Sequence, residues 1–282
     1  MKNYLFSLIL CVFTFHCCTN SSISAVEEKQ KIPATIESSK GTPKQLPDAQ
    51  TPSSVKIDTS ITLDYIMGKF DPKKHPDFIK VPAQYANGRN DRYLHKVTYQ
   101  SFLDMYNAAK KEGIELRILS ATRNFATQKI IWEGKWTGKR LHESKENLAK
   151  TTPNPTERAL KILKWSSMPS TSRHHWGTDI DLNALNNEFF EKGSGLKLYT
   201  WLSANASKYG FCQPYSPKDA QRPHGYNEEK WHWSYLPLAQ KLSQQAQLRL
   251  TDEQIKGFKG AETAKSIGVV QKYILGINEE CL

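Results

Sequence analysis

Residues 170–183, STSRHHWGTDIDLN, limit the fold more than any other stretch of the chain. Thr178, Ile180 and Leu182 alternate with Asp179 and Asp181, the period of a β-strand. Successive side chains on a strand point to opposite faces, so both carboxylates share one face. The paired histidines His174 and His175 stand just before it. The fold must therefore contain a sheet that carries acid on one face next to imidazole.

The rest of the chain reads as helices and strands without a βαβ rhythm. TYQSFLDMYNAAKKEG has a helical face of Phe102, Met105, Tyr106 and Ala109, with Thr98 as the expected cap and Gly113 as the stop. IELRILSATR is a strand running into a loop that holds Arg123. ATQKIIWEGKW is helical, with Trp132 and Trp136 four apart, and residues 138–155 are a loop. TERALKILKW and LKLYTWLSANASKYG are helices, the second ended by Gly210. A loop with Pro214, Pro217, Pro223 and Gly225 leads to a short aromatic strand, KWHWSY. The remainder from Pro237 is expected to be mostly helical, with Thr251 and Gln254 as a capping box. This order predicts an α+β fold.

The N-terminus has a separate logic. Lys2 precedes an apolar run from Tyr4 to Phe15, too short to span a bilayer as an ordinary helix and suited to a signal-peptide core. Cys17, Cys18 and the polar TNSS follow, which resembles a lipoprotein signal with Cys18 as the acylated residue. Phe15 and His16 are a poor match to the small residues expected before that cysteine. The expected organisation is a signal peptide over 1–17 and an unfolded tether over 18–58. A folded α+β domain over 59–238 and a C-terminal helical extension over 239–282 follow. The tether is rich in Ser, Thr, Lys, Glu and Gln, carries Pro33, Pro43, Pro47 and Pro52, and has too little apolar surface to fold. Export to the periplasm or cell surface leaves Cys212 and Cys281 as an even pair in an oxidising compartment, free or bonded.

A formal charge of +11 suits an anionic partner, whether nucleic acid, a membrane surface or a cell-wall polymer. No aromatic-interleaved RNA-binding pattern and no Cys/His finger spacing accompanies it, so nucleic acid is not expected.

Catalytic zinc takes three protein ligands and keeps one position open. Candidate ligands are His174 or His175, Asp179 or Asp181, and His232 on the second strand. Glu228 and Glu229 just before His232 are candidate bases for hydrolysis. A helical H-E-x-x-H motif is absent.

SRHHWGTDIDL matches the S-x-H-x-x-G-x-x-x-D pattern of the LAS metallopeptidases, the family of lysostaphin, D-Ala-D-Ala metallopeptidases and sonic hedgehog. EKWHW resembles their E-x-x-H element in its VanY-type form, and SATRNFATQ looks like their S-G-Y-R-S-x-x-x-Q loop. The three occur in the family's order across residues 120–235, and the resemblance covers about 60–238. It implies an α+β fold with a small central antiparallel sheet carrying zinc, flanked by helices. It also implies His174, Asp181 and His232 as zinc ligands, Glu229 as base and Arg123 as a catalytic aid. Ser172, Gln128 and Asp179 are the expected substrate contacts, with the site backbone as the other partner for Ser172, a helix surface as the other place for Gln128, and support of the metal site as the other role for Asp179. Asp179 stands where many members have Ala, and Ala121 and Thr122 replace Gly and Tyr. The implied activity is cleavage of peptidoglycan stem peptides by a monomer, foremost as a D-Ala-D-Ala carboxypeptidase. Dipeptidase or endopeptidase cleavage, or a zinc-stabilised binding module, are the alternatives.

Overall fold

A strand as apolar on one face as Ile180 and Leu182 make it must be covered, and its hydrogen bonds must be met by neighbours on both sides. The computed structural model describes residues 56–282 and supplies both. The signal, the Cys18 anchor and nearly all of the expected tether lie outside the described residues. In chain order the strands are β1 (Phe78–Lys80), β2 (Tyr93–His95), β3 (Ile118–Ser120), β4 (Asp179–Leu182), β5 (Phe211–Cys212) and β6 (His232–Tyr235). The helices are α1 (Leu63–Ile66), α2 (Lys96–Lys111), α3 (Phe125–Trp136), α4 (Leu148–Thr151), α5 (Pro155–Ile162), α6 (Gly193–Asn205), α7 (Leu236–Arg249) and α8 (Ala264–Ile267). The fold is α+β. β1 and β2 form a hairpin-like pair, and the central sheet runs β3-β4-β6-β5 with every pairing antiparallel.

Register places the chemistry. On β4, Asp181 sits opposite His232 of β6 and opposite Ser120 of β3, while Asp179 faces Ser234. The alternate residues Ile180 and Leu182 join Ile118, Phe211 and Trp233 in a core closed by Phe102 and Met105 of α2 and Leu198, Trp201 and Leu202 of α6. Each such side chain, fully buried, contributes about 1.5–3 kcal/mol. A second core gathers Trp132 and Trp136 of α3, Ile162, Trp176, and Leu242 and Ala246 of α7.

Local signals decide the helix ends, with two differences from the sequence reading. α2 begins at Lys96 with His95 as cap, its Nδ1 accepting from the Val97 N–H. Thr98 is buried within the first turn instead, with no partner for its hydroxyl. α3 is capped by Asn124, whose Oδ1 accepts from Thr127 N–H at 2.9 Å. The expected loop over 138–155 contains the single turn of α4.

No boundary falls at 238. α7 spans that position, and residues 56–58 are already pinned to it: Asp58 N–H donates to Gln245 Oε1 at 2.9 Å, and Lys241 pairs with Asp58. Beyond Arg249 the chain is mostly short turns rather than long helices. Gln254 Oε1 accepts from Thr251 N–H at 2.8 Å, as the capping pattern predicts. These turns carry Ile255, Phe258, Ile267, Val269, Ile274 and Ile277 into the second core beside the tryptophans of α3. Cys281 is bonded to Cys212 of β5, with the Cα atoms 5.9 Å apart.

Candidate metal centre and its cleft

Three side chains converge on the polar face of the sheet. His174, Asp181 and His232 each offer one donor atom, all within 4.8 Å of one another and all buried. His174 sits on the 3₁₀ turn Arg173–Trp176 that leads into β4, closed by Gly177 at φ +74°. The imidazoles meet edge to face, with centroids 4.7 Å apart.

Hydrogen bonds choose which nitrogen each histidine presents. His174 Nδ1 donates to the Ala121 carbonyl at 2.8 Å, which leaves Nε2 facing Asp181 at 3.4 Å. His232 does the reverse. Its Nε2 donates to Asp179 Oδ2 at 2.8 Å, and its Nδ1 faces Asp181 at 3.1 Å and Glu229 at 3.4 Å. A ligating imidazole ordinarily has its other nitrogen held by a carboxylate or carbonyl in this way.

The residues fit a divalent cation. His174 Nε2 and Asp181 Oδ1 are buried polar atoms without a hydrogen-bond partner, an arrangement that is costly unless something else satisfies them. Charge agrees. Asp179 is neutralised by buried Arg173, at 3.3 Å, so Asp181 is the carboxylate left to face the two imidazoles. Two nitrogens and one carboxylate oxygen are the donor set of a catalytic zinc site.

The pKa shifts follow from the same packing. Burial pushes Glu229 up. Burial opposes charge on Asp181, yet the facing His174 and His232 hold it well below the usual carboxylate range. Burial also opposes charge on His232, but Asp179, Asp181 and Glu229 around it raise it well above the ordinary imidazole value.

His175 is a prop rather than a ligand. Ser170 N–H donates to its Nε2 at 3.1 Å, so Nδ1 carries the proton and donates to the Arg123 carbonyl. Burial pushes its pKa down to about 3, which keeps it neutral. Arg123 N–H donates to the His174 carbonyl at 3.1 Å. The two adjacent histidines thus bolt the 121–123 segment against the metal centre.

A cleft of about 570 Å³ opens beside the cluster, with Asp181, Glu229 and Arg123 in its wall. Arg123 makes no ion pair among the described residues, and its Nε has no partner. Trp231 also lines the cleft, stacked on Trp165 at 5.9 Å, and both it and Trp233 belong to the core. Glu228 is half-buried and is held by its backbone, its carbonyl accepting from Asn187 Nδ2 at 2.9 Å.

Two of the expected substrate contacts are corrected. Asp179 is fully buried and accepts from Thr178, Ser234, Arg173 and His232, so it orients His232 and does not reach the cleft. Gln128 is buried with its Nε2 donating to the Ser167 carbonyl at 2.8 Å, tying α3 to the segment before His174. Ser172 is buried two residues before His174 with its hydroxyl unpaired.

Sequence reasoning missed Arg173 altogether. Its guanidinium is buried, donates to Asp179, Ser234 and Ser243, and lies 4.8 Å from the Trp176 ring. The only signal was its place inside the histidine motif. Lys135, buried in the cleft wall, also gave no signal beyond helical spacing.

Residues 91–238 match the family model VanY, described as D-alanyl-D-alanine carboxypeptidase. The chain is 30% identical over 164 residues to the protein YodJ of Bacillus subtilis, a match covering 57% of this chain and 53% of that one. It is 28% identical over 135 residues to a D-alanyl-D-alanine carboxypeptidase of Enterococcus faecalis, covering 48% and 45%. The chain therefore spans about half the length of these curated relatives. A solved vancomycin-resistance D,D-pentapeptidase in complex with Zn(II) is 25% identical, covers 55% of this chain and 82% of its own, and has a TM-score of 0.42, too low to bear on function. Because the matched segment takes in more than half of the sequence and all three donors of the metal centre, the chain belongs to the VanY family of D-alanyl-D-alanine carboxypeptidases.

Proposed function

We propose that this chain is a zinc-dependent carboxypeptidase that removes a terminal D-alanine from peptidoglycan stem peptides. The observation that carries the reading is the convergence of His174, Asp181 and His232, with Glu229 beside His232 and an open cleft beyond. His174, Asp181 and His232 would hold the zinc ion, which would supply Lewis acidity and water activation at neutral pH. Glu229, its pKa raised by burial, takes a proton from the attacking water and returns it to the leaving amine. Arg123, unpaired in the cleft wall, faces the negative charge that develops on the carbonyl oxygen. The signal-like N-terminus supports export, with Cys18 as a lipid anchor that holds a monomeric enzyme near the cell wall.

Release of D-alanine from purified muropeptides, followed with and without a chelator, tests the activity. Wild type should release it and lose the ability when zinc is stripped. Glu229→Gln should keep zinc and lose nearly all turnover, while Glu228→Gln stays active. Full activity in Glu229→Gln would remove the base from the scheme, and chelator-resistant release would remove the metal.

A further inference from the structure

The cleft wall is unevenly charged. Setting aside Asp181 and Glu229 at the metal centre, it holds Arg92, Arg123, Lys135 and Arg140 against only Asp91 and Glu143. Asp91 is further shared with Arg89 outside the cleft. Such a wall favours a ligand that brings negative charge.

Lys135 is the unusual member. Its side chain is 1% exposed, so its ammonium has lost nearly all its water. Burial pushes its pKa down. A buried ammonium needs acceptors for three N–H groups. It has two: the Ser166 hydroxyl at 2.7 Å and the Glu143 carboxylate. No third is present among the described residues. Ser166 and Glu143 both line the cleft, so the ammonium faces that space and not the core. Glu143 is 41% exposed, on the loop between α3 and α4, and the other group at its carboxylate is His142 at 3.5 Å. A half-solvated carboxylate on a loop thus covers a dehydrated cation in the wall.

We propose that the Lys135 ammonium recognises a carboxylate of the peptide substrate, and that Glu143 occupies the position which that carboxylate takes over. This rests on the carboxypeptidase reading and deepens it, since a peptidase that reads a free carboxylate near the scissile bond is committed to an end of the peptide. The carboxylate is either the chain terminus or that of an internal acidic residue. The chemistry at Lys135 is the same for both.

The test uses the full chain loaded with zinc and three peptides ending in D-Ala-D-Ala. One has a free terminus and one internal acidic residue, one has the terminus amidated, and one has the internal acid amidated. KM, or the competitive inhibition constant for a peptide that is not cleaved, is measured for each. Lys135→Met should weaken the fully acidic peptide about 30-fold or more, the scale of a charge-assisted bond in a dry site, with kcat little changed. It should leave unchanged the one peptide that already lacks the carboxylate being read, which identifies the source. Lys135→Arg should preserve the preference, and Glu143→Gln should tighten the acidic peptide by removing its competitor. Equal weakening of all three peptides, or none, in Lys135→Met overturns the proposal. So does unchanged affinity in Glu143→Gln, which stands as the test if Lys135→Met does not fold. Should wild type release no D-alanine, the functional reading fails by itself. Calorimetric binding of the same peptides to wild type and Lys135→Met then decides the role of Lys135 separately.

Discussion

At the scale of single residues, the centre depends on which hydrogen bonds hold each ring. Asp179 donates no ligand, yet it fixes His232 so that Nδ1 turns toward Asp181. Arg173 in turn holds Asp179, a buried ion pair whose worth lies in the satisfied geometry more than in raw attraction. Asp179→Asn removes the charge but keeps the shape. It should weaken zinc affinity about 10- to 100-fold, the usual loss when the partner of a ligating histidine is changed. Competition against a zinc-binding dye measures this, and wild-type affinity would show that Asp179 serves only the fold. Arg123→Ala should lower turnover about 100-fold or more, as for a lost oxyanion donor, with zinc retained. Steady-state kinetics with metal analysis on the same samples checks both halves of that statement.

At the scale of elements, the sheet is small and its precision comes from turns and props. Gly177 closes the 3₁₀ turn at φ +74°, and a Cβ there would come within 2.5 Å of the Phe78 ring and 2.9 Å of His95 N. Only glycine suits that conformation and that contact. Gly177→Ala should therefore destabilise the protein by about 1–3 kcal/mol and loosen His174, lowering zinc occupancy as well as the melting temperature. Thermal unfolding with and without added zinc separates the two effects, and an unchanged melting temperature would mean that the turn tolerates a side chain. The same reasoning explains why the 121–123 segment is rigid. Three backbone groups, the Ala121 and Arg123 carbonyls and the Arg123 N–H, are bound to the histidine pair.

At the scale of the whole molecule, the segment past 238 is structural. Its apolar side chains fill the core beside Trp132 and Trp136, and the Cys212–Cys281 bond ties the last turn to β5, the strand next to the one that bears His232. Cys281→Ser should cost about 2–5 kcal/mol, the range for removing a native disulfide, and should leave zinc binding intact at low temperature. Denaturant unfolding of the oxidised, reduced and substituted chains measures it, and equal midpoints would show that core packing alone holds the segment. The sequence by itself determined the α+β class and the strand that bears Asp179 and Asp181, because periodicity is a local property of a chain, while the choice of His174, Asp181, Glu229, His232 and Arg123 came from the resemblance of its ordered motifs to those of the LAS metallopeptidases. It did not distinguish Asp179 as a prop from Asp179 as a substrate contact, since both lie on one strand face and only the packing of Arg173 and Ser234 decides which is dry. Nor did it show that Gln128 is buried, that Lys135 faces the cleft, or that the C-terminal turns complete the core. Those facts rest on contacts between residues far apart in the chain, and such contacts exist only once the tertiary structure has brought them together.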